Sequence, residues 1–207
     1  MHWRGKWALG RREDPFGWKV LSPGGKERQS YHGRRRTPFG IIGVVILRCT
    51  RKLLDVIRPG QLADAPADGD DWYANLLRID GRKSLLLTHA DTLFTIFEPD
   101  VRAAGLRETG RLVTGLITRE LEREGLPART FGDLDPASVL LAKTSSRVIL
   151  GCMNDMAFMC EHGTGRAGGL AGLDAGDLNH ALRRNILSAR DYQRPIELTT
   201  QRTKESS

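Results

Sequence analysis

Cysteine is scarce in this sequence, and the few cysteines follow no metal or disulfide pattern. The 207 residues include only Cys49, Cys152 and Cys160. An odd number without a C-x-x-C pair argues against a disulfide framework and against a four-cysteine zinc site. The neighbouring Cys160 and His162 lack a second local ligand pair. We therefore expect reduced cysteines in a cytoplasmic protein, with no bound metal and no other cofactor.

Long hydrophobic runs are also missing. The longest apolar stretch, residues 39–47, is well short of the ~18 to 20 residues that a membrane-spanning helix needs. Residues 1–38 are mostly polar and Arg48 follows the stretch at once, which does not fit a secretory signal. With 40% hydrophobic and 28% charged residues, the composition is that of an ordinary globular domain. We expect a protein that has no membrane-spanning part.

No motif in the sequence specifies a reaction. None of the serines lies in the G-x-S-x-G turn of a serine hydrolase. A G-x-G-x-x-G pattern starts at Gly163, but it follows a predicted helix rather than leading from a strand into one, so it lacks the context of a dinucleotide-binding loop. We interpret the segment 163–176, with its six glycines, as a connector.

The net charge of +7 lies at one end of the chain. Residues 1–43 hold ten lysines and arginines against three acids, whereas residues 44–207 hold 22 of each sign. The first segment also has eight glycines and no apolar period. We predict a disordered basic extension there and interpret it as an artefact of start-site choice, with the natural start near Val44 or Val45. The functional alternative is a basic arm that binds nucleic acid and orders on binding.

From residue 44 the pattern indicates secondary structure. A β-branched run at 44–49 predicts a strand, the segment 51–57 a helix, and 59–71 an acidic loop. Apolar runs on both sides of Asp80-Gly81 predict a β-hairpin with a type I′ turn. A third strand is expected at 92–97.

The second half of the domain has helical periodicity. Helices are predicted from 111 to 124, with Glu120 on the solvent side, from 145 to 162, and from 174 to about 186. Strands followed by helices predict an α+β fold, a small and mainly antiparallel sheet with helices on one face. We expect one domain at 44–195 and a polar tail at 196–207.

The best candidate for a general base is His89, at the end of the second hairpin strand, with Asp91 as a possible partner for its ring. The simpler interpretation is a partly buried histidine that is hydrogen-bonded to a turn. Further candidates are Arg147, Asn154 and Asp155 on the 145–162 helix, since Arg147 and Asn154 are two helical turns apart and share one side. Such groups can bind an anion or an amide, or can serve structure alone.

Four blocks of sequence carry a family resemblance. They are I-L-R-C-T with K-L-L at 46–54, D-W-Y-A-N-L-L at 71–77, L-T-H-A with T-L-F at 87–94, and S-R-V-I-L-G-C-M-N-D at 146–155. Together they resemble a bacterial family described only as a domain of unknown function, over roughly residues 45–162. The resemblance implies a domain that starts near R-C-T, and it implies no activity, cofactor or catalytic residue.

Three functional hypotheses follow. The first is a small intracellular module that binds an unknown protein or small molecule and has no chemistry of its own. The second is an enzyme acting on nucleic acid or nucleotides, with His89 as base and Arg147 and Asn154 holding the substrate; it requires the three side chains to converge on one pocket. The third is nucleic-acid binding through the basic arm.

Overall fold

The computed structural model describes residues 44–206. The predictions for residues 1–43, a disordered extension or a nucleic-acid-binding arm, lie outside these residues. None of the described helices is long and apolar enough to cross a membrane. In chain order the elements are β1 (Val45–Cys49), α1 (Arg51–Ile57), β2 (Trp72–Ile79), β3 (Arg82–His89), β4 (Thr95–Glu98), α2 (Ala103–Arg107), α3 (Thr109–Arg123), β5 (Val139–Lys143), α4 (Arg147–Arg166), α5 (Ala175–Arg184) and α6 (Pro195–Ser206), with 3-10 helices at Pro136–Ser138 and Ser188–Arg190.

The five strands form one mixed sheet in the order β4-β3-β2-β1-β5. Strands β2, β3 and β4 are antiparallel neighbours, while β1 lies parallel to both β2 and β5. The β2–β3 turn has positive φ at Asp80 (49°) and Gly81 (73°), as the sequence predicted for a type I′ turn. The predicted α+β class and the mainly antiparallel sheet are confirmed.

Helices cover both faces of the sheet, whereas the sequence analysis expected them on one face. Trp72 and Leu76 of β2 pack in one hydrophobic cluster with Val113 of α3. Tyr73 and Leu77, which point the other way, pack in a second cluster with residues of α4 and α5. The β2 sequence W-Y-A-N-L-L-R-I is apolar at nearly every position, and such a run is typical of a strand that is buried on both faces.

A buried ion cluster joins α3 to α5 at the β4 side of the sheet. Arg183 of α5 has a side chain 1% exposed, and its guanidinium contacts Glu120 at 3.1 Å and Glu124 at 2.7 Å. The two carboxylate side chains are 0% and 2% exposed. The prediction that Glu120 faces solvent is therefore wrong. The helical period placed it beside the apolar stripe, and a cationic partner some sixty residues away allows its burial.

The free edge of β4 is closed by side chains of α5. The Asn179 side chain accepts a hydrogen bond from the Phe97 amide (2.7 Å) and donates one to the Phe97 carbonyl (3.1 Å). Arg183 donates to the Thr95 carbonyl at 3.4 Å. Asn179 thus supplies the hydrogen bonds that a further strand would make. An exposed strand edge is a template for pairing with other chains, and here it is occupied.

Two boundaries differ from the sequence predictions. Helix α4 continues through Gly163 to Arg166, so the connector is shorter than residues 163–176. Gly163 lies where α4 approaches α5 most closely, since an added Cβ would be 3.1 Å from Leu178. The segment predicted as a polar tail forms α6, where Thr199 is buried and Thr203 lies 3.3 Å from Thr130. Threonine hydroxyls bonded to the preceding helical turn make this polar helix compatible with burial.

We predict that Arg183→Met destabilises the protein by roughly 2 to 3 kcal/mol, the scale of a lost charged hydrogen bond. Glu120 and Glu124 lose their buried cation and keep only arginines whose side chains are 38% to 48% exposed. The matched control is Arg82→Met, which breaks an ion pair with Asp100 whose side chains are 57% and 58% exposed. That change should cost less than about 1 kcal/mol. Urea unfolding followed by circular dichroism measures both, and equal losses in the two variants would contradict a buried role for Arg183.

The ion cluster also predicts acid sensitivity. Burial opposes ionisation of Glu124, but hydrogen bonds from Arg184 and Arg183 outweigh it, so the pKa of this carboxyl lies below its ordinary value of 4.5. A lowered pKa stabilises the fold above the unfolded-state value, and this stability is lost as the pH falls through the folded-state value. Glu124→Gln should be less stable than the wild type at neutral pH, and the difference should shrink below about pH 4.5 in urea titrations. A constant difference would contradict this assignment.

Candidate functional site

His89, the predicted general base, lies in the core. It is 1% exposed and its ring is 4.5 Å from that of Phe131 and 5.3 Å from that of Trp72, centroid to centroid. These rings and Phe94 form an aromatic cluster on the α3 face of the sheet. A base must reach the proton that it removes, and this side chain is enclosed by other rings.

The hydrogen bonds of His89 define its protonation. The Thr92 amide lies 3.3 Å from His89 Nδ1 and can only donate, so Nδ1 is the acceptor nitrogen and Nε2 carries the hydrogen. The Thr92 hydroxyl, 3.1 Å from Nδ1, is the second turn group. Burial, followed by the charges of Arg202 and Arg190, lowers the pKa of His89 well below 6.5. The imidazole is neutral at pH 7, and it is Thr92 rather than Asp91 that sets its tautomer.

The other three candidates lie on a different side of the molecule. Arg147, Asn154 and Asp155 are exposed on α4, and α4 packs on the sheet face opposite to the aromatic cluster of His89. The structure keeps these three residues on one helix side, as their spacing predicted. It does not bring them together with His89.

A different feature stands out at the start of α4, the carboxyl-terminal edge of the parallel strands. Strands β1 and β5 are adjacent and parallel, with Cys49 paired to Lys143 at their last residues. The helix after β1 carries Leu53 to one face of the sheet, whereas the helix after β5 carries Ile149 to the other. The chain therefore leaves neighbouring strands in opposite directions. Such a topological switch point opens a crevice at the strand ends, where α/β proteins commonly bind ligands.

Polar side chains gather at this edge of the sheet. The Thr50 hydroxyl, directly after β1, donates to the Asn75 side-chain oxygen at 3.0 Å, which leaves the Asn75 amide nitrogen to point elsewhere. The Tyr73 hydroxyl lies 3.1 Å from that of Ser145, in the β5–α4 loop. We call the group of Thr50, Tyr73, Asn75, Ser145 and Arg147 the carboxyl-edge cluster. Sequence analysis named only Arg147 of these as a site residue, although polar residues directly after two strands were a usable signal.

The first turn of α4 contributes backbone donors to the same edge. The Ser146 hydroxyl accepts from the Ile149 amide at 3.3 Å and so caps the helix. The amides of Arg147 and Val148 precede it and have no partner within the helix. The exposed side chains of Arg147 and Lys143 add positive charge at the ends of α4 and β5. Hydroxyls, a side-chain amide, helix amides and cations together suit a polar ligand that carries negative charge.

A buried ion pair fixes the loop beside this edge. Arg48 of β1, 3% exposed, contacts the carboxylate of Asp71, and it also donates to the carbonyls of Ala65 (2.9 Å), Pro66 (2.7 Å) and Lys143 (3.2 Å). These bonds tie residues 59–71 to the last residue of β5. Arg48 thus bonds the acidic loop predicted from sequence to β5 at two of its residues, Ala65 and Pro66.

The three cysteines are free and buried, and burial raises the pKa of Cys49 and Cys160 to about 12. Such thiols are unreactive at neutral pH. Among residues 44–206, no group of three or more histidine, cysteine or acidic side chains is placed to hold a metal ion.

Comparison with known families agrees with the resemblance of the four sequence blocks. Residues 46–198 match the model of a family described as a domain of unknown function, DUF6933, and the chain belongs to this family. The match extends beyond the 45–162 resemblance and includes α5 and the start of α6. Searches of curated proteins and of solved structures gave no match.

The state of His89 predicts a pH effect. Because its folded-state pKa is lowered, the unfolded chain binds the proton first, so the fold loses stability as the pH drops below the unfolded-state value near 6.5. Relative to His89→Gln, the wild type should lose up to about 1.4 kcal/mol per pH unit below that value. Nitrogen-15 NMR at pH 7 should show a protonated Nε2 and a bare Nδ1. An imidazolium spectrum at pH 7 would contradict the assignment.

Proposed function

We propose that this protein is a binding module that holds a small, negatively charged, nucleotide-sized ligand at the carboxyl-edge cluster and performs no chemistry on it. The observation that carries the proposal is the switch point itself, where α1 and α4 leave the adjacent strands β1 and β5 for opposite faces. The polar groups of the cluster support it, since they come from three segments of the chain, the end of β1, the start of β2 and the β5–α4 junction, and lie at the level of the carboxyl ends of β1 and β5.

The types of group in the cluster support binding rather than catalysis. The cluster consists of hydroxyls, one amide and one guanidinium. It contains no histidine and no carboxylate, the side chains that most often serve as general bases. The histidine proposed as a base lies on the other side of the sheet. An enzyme that needs His89, Arg147 and Asn154 in one pocket is therefore less well supported than a module that binds.

The arrangement also indicates how the ligand would lie. Arg147 and the first amides of α4 suit a phosphate group, because a guanidinium and helix amides are both common phosphate donors. Thr50 and Asn75, on the neighbouring strands, would then bond to ribose or base groups further along the crevice. Strand β2 continues past this level to Ile79 and would form one wall of the site.

Adenosine monophosphate, titrated into nitrogen-15-labelled full-length protein, tests the proposal. The largest shift changes are expected at the Asn75 side-chain amide and at the backbone amides of Thr50 and Ser145 to Val148. Arg147→Met should weaken binding roughly tenfold, the usual effect of losing a charged hydrogen bond.

Arg166→Met is the matched control, because Arg166 is an exposed arginine at the other end of the same helix. It should leave the affinity unchanged. Absence of binding at millimolar nucleotide, shifts elsewhere in the protein, or equal effects of the two variants would each overturn the site. Phosphorus-31 NMR of the same samples checks the second half of the proposal, since conversion of the nucleotide would show that the protein is an enzyme.

A further inference from the structure

A second concave surface lies away from the carboxyl edge, where the end of α1 meets the start of α3. It is an open groove of about 750 Å³. Its walls carry the guanidinium side chains of Arg58, Arg107 and Arg111, and its apolar lining includes Ile57 and Leu141. We call it the arginine groove. Its volume is within the range of roughly 300 to 1,000 Å³ that is typical of small-molecule sites.

The charges of the three arginines are not paired with carboxylates within residues 44–206. Across residues 44–206, none of the three takes part in an ion pair, and the only side-chain bond of Arg58 is a long one, 3.4 Å, to the Asp55 carbonyl. The arginines of the ion cluster, by contrast, are all held by carboxylates. Three unpaired cations on one concave surface repel one another, and an anion bound between them would relieve that repulsion.

The acidic groups of the groove, Glu108 and Asp135, cancel this charge only in part, because three arginines face two carboxylates. The Asp135 carboxylate is already engaged, because it accepts from the Ala137 amide at 3.0 Å and from the Ser138 hydroxyl at 2.9 Å. Glu108 is exposed and, among the described residues, makes no side-chain hydrogen bond or ion pair. Asp135 keeps its negative charge, so both carboxylates oppose an anion, and Glu108 is the one whose oxygens have no partner among the described residues.

The groove is held in shape by close packing of its walls. Gly110 of α3 approaches the Pro136 carbonyl so closely that an added Cβ would lie 2.2 Å from this oxygen. Arg58 takes a left-handed backbone conformation (φ 52°, ψ 58°) where it ends α1, and its amide bonds to the Leu54 carbonyl at 2.8 Å. Both walls are thus fixed by backbone contacts, and a ligand would meet a preformed surface.

We infer that the arginine groove binds a phosphate monoester that has an apolar body. Guanidinium groups are the preferred partners of phosphate, since their planar donors match its oxygens in pairs. The apolar lining and the volume favour a small molecule over inorganic phosphate alone. This site goes beyond the proposed function, because it uses other residues and takes its ligand by charge in addition to apolar contact.

Phenyl phosphate, titrated into labelled full-length protein, is the test. Shift changes are expected at the amides of Thr109, Gly110 and Arg111, and binding should be tighter than for inorganic phosphate or phenol. The double variant Arg107→Met/Arg111→Met should weaken binding by roughly tenfold or more, while Arg107→Lys/Arg111→Lys keeps the charge and should lose less. Arg78→Met, an exposed arginine of β2 outside the groove, should have no effect.

A substitution that removes a negative charge from the groove should have the opposite effect on binding and provides a second test. Glu108→Gln removes the free carboxylate and should tighten phenyl phosphate binding severalfold, and this gain should fade at high salt. Melting temperatures of all variants show that each one folds. Shifts confined to the carboxyl-edge cluster, equal loss in the groove and control variants, or tighter binding of an oligoglutamate peptide would overturn the inference. The last outcome would point to an acidic protein partner. Because the two sites have different amides, either proposal can fail without the other.

Discussion

The position of one arginine decides how the two halves of this molecule hold together. Arg183 belongs to α5, in the helix layer on one face of the sheet. Its side chain extends past the edge of β4 and contacts Glu120 and Glu124, which belong to the helix layer on the other face. On its way its guanidinium lies over the Phe94 ring, 4.8 Å from the centroid. A buried charge is tolerated only when it is fully paired, and Glu120 and Glu124 meet this condition together with the Thr95 carbonyl. The cluster fixes α3 and α5 relative to each other and to β4.

Arg48 plays a comparable part at the opposite end of the sheet. It donates to the Lys143 carbonyl of β5, while the Ala63 amide donates to the Leu141 carbonyl of the same strand at 2.7 Å. Both edge strands are thus bonded by groups other than a further strand. At β4 these are the α5 side chains Asn179 and Arg183, and at β5 they are the loop amide of Ala63 and the side chain of Arg48 from the neighbouring strand β1. A mixed sheet with two free edges would attract other strands, and here side chains and a loop have taken the hydrogen bonds.

Local patterns in the sequence predicted much of the fold, because turn chemistry and periodicity act over short distances. The Asp80-Gly81 hairpin, the β1 strand and the apolar stripe of α3 were all visible. The features that sequence analysis missed depend on contacts between residues that are far apart in the chain. Glu120 is buried against Arg183, which lies far along the chain, and α4 packs against Leu178 of α5 at Gly163.

The candidate site shows the same division. The side shared by Arg147 and Asn154 follows from helical spacing alone, and the hydrogen bond of His89 to a turn had been considered as the simpler interpretation. His89 and α4 lie on opposite faces of the sheet because of the direction in which the chain crosses from one strand to the next. No local sequence pattern predicts that direction. Thr50 and Ser145 meet at one edge for the same reason.

The pairing of β1 with β5 has a consequence for how the chain reaches its final form. Val45 pairs with Val139, so these two neighbouring strands are separated in the sequence by the β2–β4 meander and α3. The meander is built from nearby segments and can form early, whereas the β1–β5 ladder must wait for a long loop to close. We therefore expect the β1–β5 ladder, and the strand ends that it brings together, to form after the meander during folding.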